Sequence, residues 1–206
     1  MKRLAITMAA LSTFAAFSCK GPAAQPQAES KVLVLIDMQN DFIDGSLGSE
    51  AAQAIVPNVV DLVRGYDGYI VATRDTHGED YLDSTLEGRL LPVSHCAKGS
   101  NGWQICSSVM QALEGKAYVG EVDKPTFGSK ELPEVIASLP GFDKNFEIEL
   151  VGLDTDICVV SNALSLRMNF PDNPITVRAS CCAGTCPERH SAALETMKSC
   201  QINVIE

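Results

Sequence analysis

The chain has 206 residues, 46% of them hydrophobic and 20% charged, with a formal charge of −10 at pH 7. Such a composition suits one globular domain with a sizeable core and excludes a chain that is disordered throughout. An acidic balance without a basic run argues against nucleic acid and anionic membrane surfaces as partners.

Met1-Lys2-Arg3 and the short apolar stretch Leu4 to Phe17 have the charged and hydrophobic regions of a secretory signal, too short for a membrane span. Ala16-Phe17-Ser18-Cys19 resembles the lipobox of bacterial lipoproteins, with Phe17 where a smaller residue is usual. The organisation expected is therefore a signal peptide over residues 1–18, lipidation of Cys19, a flexible Pro/Ala/Gln-rich tether over 19–30 and a domain over 31–206. That implies an exported protein, periplasmic or held at a bacterial membrane only through its lipid anchor.

Lys31 to Asp37 is a continuous apolar run ending in a carboxylate, the pattern of a strand buried on both faces of a parallel sheet. Helical spacing follows from Glu50 to Arg64, although Pro57 argues against an unbroken helix. Tyr69 to Asp75 repeats the design of the first strand. Residues 76–101 form a long polar connection, of a length more often functional than idle. Helices are expected over Trp103 to Leu113 and Ser129 to Leu139, with a third strand at Ala117 to Asp123 between them. A fourth strand at Phe146 to Val151 breaks at Gly152, and a helix restarts near Asp156 with Cys158 in its first turn. Ile175 to Ser180 reads as a fifth strand, Pro187 to Ser199 as a helix with proline suitably at its start, and Ile202 to Ile205 as a sixth strand.

Strands alternating with helices predict an α/β fold: a doubly wound, mainly parallel six-stranded sheet with helices on both faces, binding ligands beyond the carboxyl ends of its strands. Asp37, Asp75, Lys124 and Cys158 all fall at such ends. A helix N-terminus offers unpaired N–H groups and a positive dipole end, so Cys158 is expected to be biased toward thiolate there. With Cys19 and Cys158 set aside, six cysteines remain: Cys96, Cys106, Cys181, Cys182, Cys186 and Cys200. Disulfides and buried free thiols are both open, and a zinc site from the 181/182/186 cluster is disfavoured by its spacing.

Asp75-Thr76-His77 and the later His95 supply a carboxylate and two imidazoles, a donor set suited to zinc, iron or manganese; the alternative is a loop held by histidine hydrogen bonds without metal. Three further motifs, Asp37-Met38-Gln39-Asn40-Asp41-Phe42, Lys124 after the third strand, and Thr155-Asp156-Ile157-Cys158-Val159, stand in that order. Together they resemble the isochorismatase-like cysteine hydrolases, the superfamily that includes nicotinamidases. The resemblance covers nearly all of residues 31–206, down to Cys182-Ala183-Gly184-Thr185-Cys186-Pro187.

By that resemblance Cys158 is the nucleophile, Asp37 the general base and Lys124 the cation. It also implies oxyanion donors in the backbone N–H groups of Asp154 and Cys158, beside a cis Leu153–Asp154 bond. Asp75, His77 and His95 match the nicotinamidase metal site, where the ion binds the substrate's pyridine nitrogen. Glu87 is the candidate fourth ligand, with Asp83 behind it. Where some nicotinamidases carry an aromatic residue before the second histidine, this chain has Pro92, so Phe42 and Trp103 are the candidate substrate-binding walls.

The expected function is an amidohydrolase that cleaves a small amide through a cysteine thioester, nicotinamide first, with one divalent metal and no organic cofactor. The alternatives are a metal-free hydrolase of another amide or carbamoyl compound and a non-catalytic ligand-binding member of the fold. The resemblance also implies a homo-oligomer.

Overall fold

The computed structural model describes residues 29–206. The expected signal peptide, Cys19 and nearly all of the tether lie outside the described residues. Glu29 and Ser30 belong to the first strand rather than to a tether, because Glu29 pairs with Gly68 on the neighbouring strand, ahead of a register shift before Val32. Among the described residues no helix is long and apolar enough to cross a membrane.

Six strands form one sheet: β1 Glu29–Ile36, β2 Gly68–Asp75, β3 Ala117–Lys124, β4 Glu147–Leu153, β5 Ile175–Ala183 and β6 Asn203–Ile205. Their order is β3-β2-β1-β4-β5-β6 and every pairing is parallel, so the expected "mainly parallel" sheet is wholly so. The unbroken apolar run of β1 has its explanation here, since Val32, Leu33, Val34, Leu35 and Ile36 are all fully buried between the helical layers. Each such side chain contributes roughly 1.5–3 kcal/mol relative to exposure.

The helices are α1 Asn40–Ile43, α2 Glu50–Gly65, α3 Tyr81–Ser84, α4 Leu86–Leu90, α5 Ser107–Ala112, α6 Leu132–Ala137, α7 Val160–Asn169 and α8 Pro187–Ser199. One layer packs α2 against α5, and the other packs α6 against α7 and α7 against α8. Ser49 caps α2 by accepting the Ala52 N–H at 3.0 Å. That helix continues through Pro57, contrary to the expected break. Pro57 and Gln53 are both exposed, so the carbonyl that loses its partner at the proline faces water.

Two helices are shorter than their spacing suggests. The one expected from Trp103 starts only at Ser107, because Ile105 bridges to Gln39 and the Cys106 N–H donates to Met38 O at 2.8 Å. The one expected from Ser129 starts at Leu132, with the Ser129 hydroxyl accepting the N–H groups of Glu131 and Leu132 at 3.2 and 3.1 Å. The long 76–101 connection is built around α3 and α4, the latter capped by Thr85, which accepts the Gly88 N–H at 2.9 Å.

Strand order reverses between β1 and β4, and the segments leaving those two strands diverge there to leave a crevice. Gly152 makes the close approach of the two strands feasible. Its φ is +125°, and a Cβ at that position would sit 2.0 Å from Ile36 O. Asp37 and Cys158 follow these two strands, so the switch point brings them together.

Candidate active site

Asp37 begins the site. It directly follows β1, in a left-handed conformation with φ 48°, which aspartate tolerates better than most side chains. Its carboxyl is fully buried, and Thr73 Oγ1 on β2 donates to Oδ1 at 2.6 Å. Lys124, at the end of β3, is only 1% exposed and places Nζ 2.7 Å from Asp37 Oδ2 and 3.5 Å from Asp75 Oδ1. The same ammonium donates to Cys158 Sγ at 3.4 Å. Both Asp37 Oδ2 and Asp75 Oδ1 have the ammonium as ionic neighbour but no well-directed hydrogen bond, which leaves them able to take a proton or a donor.

Burial raises the Asp37 pKa, with Asp75 adding and Lys124 opposing, so this carboxylate is a stronger base than a free one. Burial alone would depress Lys124, but Asp37, Cys158 and Asp75 around it hold the ammonium charged. Cys158 departs from expectation. Burial and then Asp37 push its thiol well above the ordinary value, and Lys124 only partly offsets them. The resting sulfur is therefore a protonated thiol rather than the thiolate expected from a helix N-terminus.

The turn that carries the sulfur is also wider than an α-helix. Thr155–Val159 forms a single π turn before α7, in which the Asp154 carbonyl accepts N–H groups from Ile157 and Val159, both at 3.0 Å. That turn sets Cys158 outside a regular α-helical ladder. The Leu153–Asp154 peptide is cis. Asn162 Nδ2, one turn further on, donates to Cys158 O at 2.8 Å and to Phe127 O at 3.1 Å, while its Oδ1 accepts Ser129 N–H at 2.9 Å. Sequence reading passed over Asn162, although a fully buried asparagine four residues after the cysteine has to find partners.

Gln39 and Asp41, two residues of the first motif, owe their roles to partners distant in sequence. The structure makes Gln39 a clasp: Oε1 accepts Asp75 N–H at 2.7 Å, and Nε2 donates to Asp75 O and Trp103 O, both at 2.9 Å. Asp41 Oδ2 accepts the Cys96 N–H at 2.7 Å, fixing the residue next to His95.

Asp75, His77, Glu87 and His95 each direct one ligand atom into a cluster whose members lie within 4.8 Å of one another. His77 Nε2 is 2.9 Å from Asp75 Oδ2 and 3.9 Å from Glu87 Oε1, and His95 Nε2 is 3.5 Å from Asp75 Oδ2. His95 Nδ1 meets Val93 O at 2.8 Å and Tyr81 Oη at 2.9 Å, a partner set that orients the ring with Nε2 toward the cluster. Burial and Asp75 raise the Glu87 pKa, the sign of two carboxylates crowded without enough positive charge. Two carboxylates and two imidazoles at this spacing fit a divalent cation, whose ligand bonds of about 2.0–2.2 Å would relieve that crowding. Asp83 is exposed and outside the cluster, so Glu87 is the fourth member.

A cavity of about 480 Å³ opens over these groups, lined by Asp75, Glu87, His95, Asp154 and Cys158 and by the apolar side chains of Phe42, Leu47, Leu90, Leu91, Phe127 and Ile157. Phe42 takes the wall position expected for it. Trp103 does not. Arg74 lies over its ring at 3.7 Å and its Nε1–H donates to Thr76 Oγ1 at 2.8 Å, which uses it as a brace outside the cavity. Among the described residues all seven cysteines are free, so the disulfide alternative is not realised there, and none of them joins a metal-type cluster.

Comparison with known proteins agrees with this architecture. The isochorismatase domain family matches residues 31–206. A nicotinamidase of Saccharomyces cerevisiae is 26% identical, over 85% of this chain and 99% of its own. The crystal structure of a nicotinamidase from Bacillus subtilis superposes with a TM-score of 0.73 at 28% identity, covering 85% of this chain and 99% of that one. The fold is also that of a pyrazinamidase from Pyrococcus horikoshii solved in complex with zinc, with a TM-score of 0.71 at 24% identity and coverage of 86% and 99%.

Proposed function

The chain belongs to the isochorismatase family, and from that footing we propose that it is a nicotinamidase-like amidohydrolase, splitting a small amide, nicotinamide foremost, into acid and ammonia through a cysteine thioester. The observation that carries the reading is the buried trio of which Cys158 lines the cavity, with Lys124 Nζ 2.7 Å from Asp37 and 3.4 Å from the Cys158 sulfur. The named relatives supply the substrate class.

In the first step Cys158 Sγ attacks the amide carbonyl carbon while its proton passes to Asp37. The raised basicity of Asp37 favours that transfer, and Lys124 stabilises the negative charge as it develops on sulfur. The tetrahedral oxyanion is held by the backbone N–H groups of Asp154 and Cys158. Collapse breaks the C–N bond, Asp37 returns the proton to the departing nitrogen, and ammonia leaves behind a thioester. Asp37 then takes a proton from water as the water oxygen attacks the thioester carbon, and the second collapse releases the acid and restores the thiol. The cavity walls exclude bulk water during these transfers.

Asp75, His77, Glu87 and His95 would hold one divalent metal ion, which supplies a Lewis-acid site for a donor atom of the substrate. We further infer export and tethering through Cys19, supported by the leader pattern of Met1 to Phe17 and the lipobox-like Ala16 to Cys19.

The test is ammonia release by the purified protein from nicotinamide, pyrazinamide and a panel of small primary amides and carbamoyl compounds, with metal content measured on the same sample. Turnover of nicotinamide that is lost in Cys158→Ala supports the reading. Full turnover by Cys158→Ala would overturn the mechanism, and release from carbamoyl compounds alone would overturn the substrate.

A further inference from the structure

Two aspartates flank Thr155 in the π turn, and they are used differently. Asp156 is fully engaged: Oδ1 accepts the Thr185 N–H at 2.8 Å and Oδ2 accepts the Thr185 hydroxyl at 2.5 Å, which ties the turn to the segment after β5. Asp154 lines the cavity beside Cys158, and its carboxyl has no side-chain hydrogen bond or ion pair. An open carboxyl in a largely apolar cavity is a costly group unless a ligand donor meets it.

Position narrows what that donor is. Asp154 has one of the shortest acidic side chains, so its carboxyl stays close to its own backbone nitrogen, where the oxyanion is held in the mechanism above. Any group that meets the carboxyl therefore lies near the reacting carbonyl. The charged groups bearing on it are Asp156 in the same turn and Asp37 at the end of β1, both negative. Neither is positive, so a positive substituent on the substrate is the partner the Asp154 carboxyl would meet most favourably.

We propose that Asp154 is a specificity-determining residue that favours small amides carrying a protonated amino group close to the scissile carbonyl. The inference rests on the amidohydrolase reading and extends its substrate class from neutral amides such as nicotinamide to cationic ones. Burial, with Asp156 and Asp37 adding, pushes the Asp154 carboxyl up to about 7. Selection for a cation therefore strengthens as pH rises through neutrality and weakens below it.

The experiment compares kcat/KM for β-alaninamide with that for butyramide, its uncharged isostere, with nicotinamide as a reference, between about pH 5.5 and 8. β-Alaninamide has the higher kcat/KM by at least about tenfold at the upper end, the discrimination expected of a charge-assisted hydrogen bond, and the ratio falls toward the acid end. Titration of Asp37 as the base is common to both substrates, and whatever its charge does to the ammonium remains in the Asp154 variants, so wild-type and variant ratios are compared at each pH. Asp154→Asn and Asp154→Ala bring the ratio near one at every pH, and the wild-type pH profile reads the same point without any substitution. A ratio near one in the wild type, or one unchanged in both variants, overturns the role of Asp154 and leaves the amidohydrolase standing. Absence of ammonia from every amide, nicotinamide included, overturns the amidohydrolase and this inference with it.

Discussion

Thr73 Oγ1 donates to Asp37 Oδ1 at 2.6 Å, and the same hydroxyl accepts the Asp37 backbone N–H at 3.3 Å. A β2 side chain thus fixes both the carboxyl and the strained backbone of the residue that ends β1, and it opposes the rise in the Asp37 pKa. Thr73→Val keeps the shape and removes the hydroxyl. Asp37 then stays protonated to higher pH, so the acidic limb of the kcat/KM profile moves upward. The buried N–H and carboxyl oxygen lose their partner at a cost of about 1–3 kcal/mol. A pH–rate profile with an unmoved acidic limb would show that Thr73 does not tune the base.

Lys124 alone among the lysines and arginines of the described residues touches Asp37, Asp75 and Cys158 together. Lys124→Met fills the space and leaves two buried carboxylates facing each other. Urea denaturation at neutral pH should register a loss of about 3–5 kcal/mol, and activity should fall by at least about 10²-fold. The sign with pH is fixed by directions. Asp37 already has a raised folded pKa and loses the group that lowers it, so protonation relieves the variant. The stability gap from the wild type therefore narrows as pH falls and widens as pH rises through the raised Asp37 value. A gap that widened in acid would contradict the assignment.

Which parts of this arrangement could be read from residues alone follows from what each depends on. The six strands and their carboxyl-end acids were legible because a strand buried on both faces leaves an unbroken apolar run, as in Val32 to Ile36. Asp37, Asp75, Lys124 and Cys158 were legible as types at strand ends, whereas their roles, and Glu87 as a candidate beside Asp75, His77 and His95, came from the family resemblance. The protonation state of Cys158 was not, since helix-end electrostatics is local in sequence whereas the burial that dominates comes from the whole fold. Trp103 was misplaced for a similar reason. Its partners, Arg74 and Thr76, belong to β2 and the residue after it, and nothing near position 103 announces them. Gln39, Thr73 and Asn162 act only through backbone groups and neighbouring side chains that the fold brings close.

The contrast between Phe42 and Trp103 is testable. Phe42 lies against His95 with ring centroids 5.7 Å apart and forms part of the cavity wall, whereas Trp103 braces Arg74 outside it. Phe42→Ala should raise KM for an aromatic amide about tenfold or more by opening the wall. Trp103→Phe keeps a ring under Arg74 but loses the bond to Thr76, so it should lower stability by about 1 kcal/mol with KM unchanged. Steady-state kinetics and thermal melts on the two variants separate the roles, and a raised KM in Trp103→Phe would return Trp103 to the substrate wall.

Metal affinity gives the last prediction. Burial opposes a charged His95, but the hydrogen bond to Asp75 outweighs it and raises the His95 pKa. A cation must then displace that proton, so affinity should fall as pH drops through the raised value, beginning at higher pH than for an unperturbed histidine near 6.5. Glu87→Gln removes one carboxylate charge while leaving Asp75, His77 and His95 in place. Zinc or manganese titration of chelator-treated protein should show roughly one equivalent bound by the wild type and at least about 10²-fold weaker binding by the variant. If Glu87→Gln binds metal as the wild type does, the ion sits on Asp75, His77 and His95 alone and Glu87 only lines the cavity.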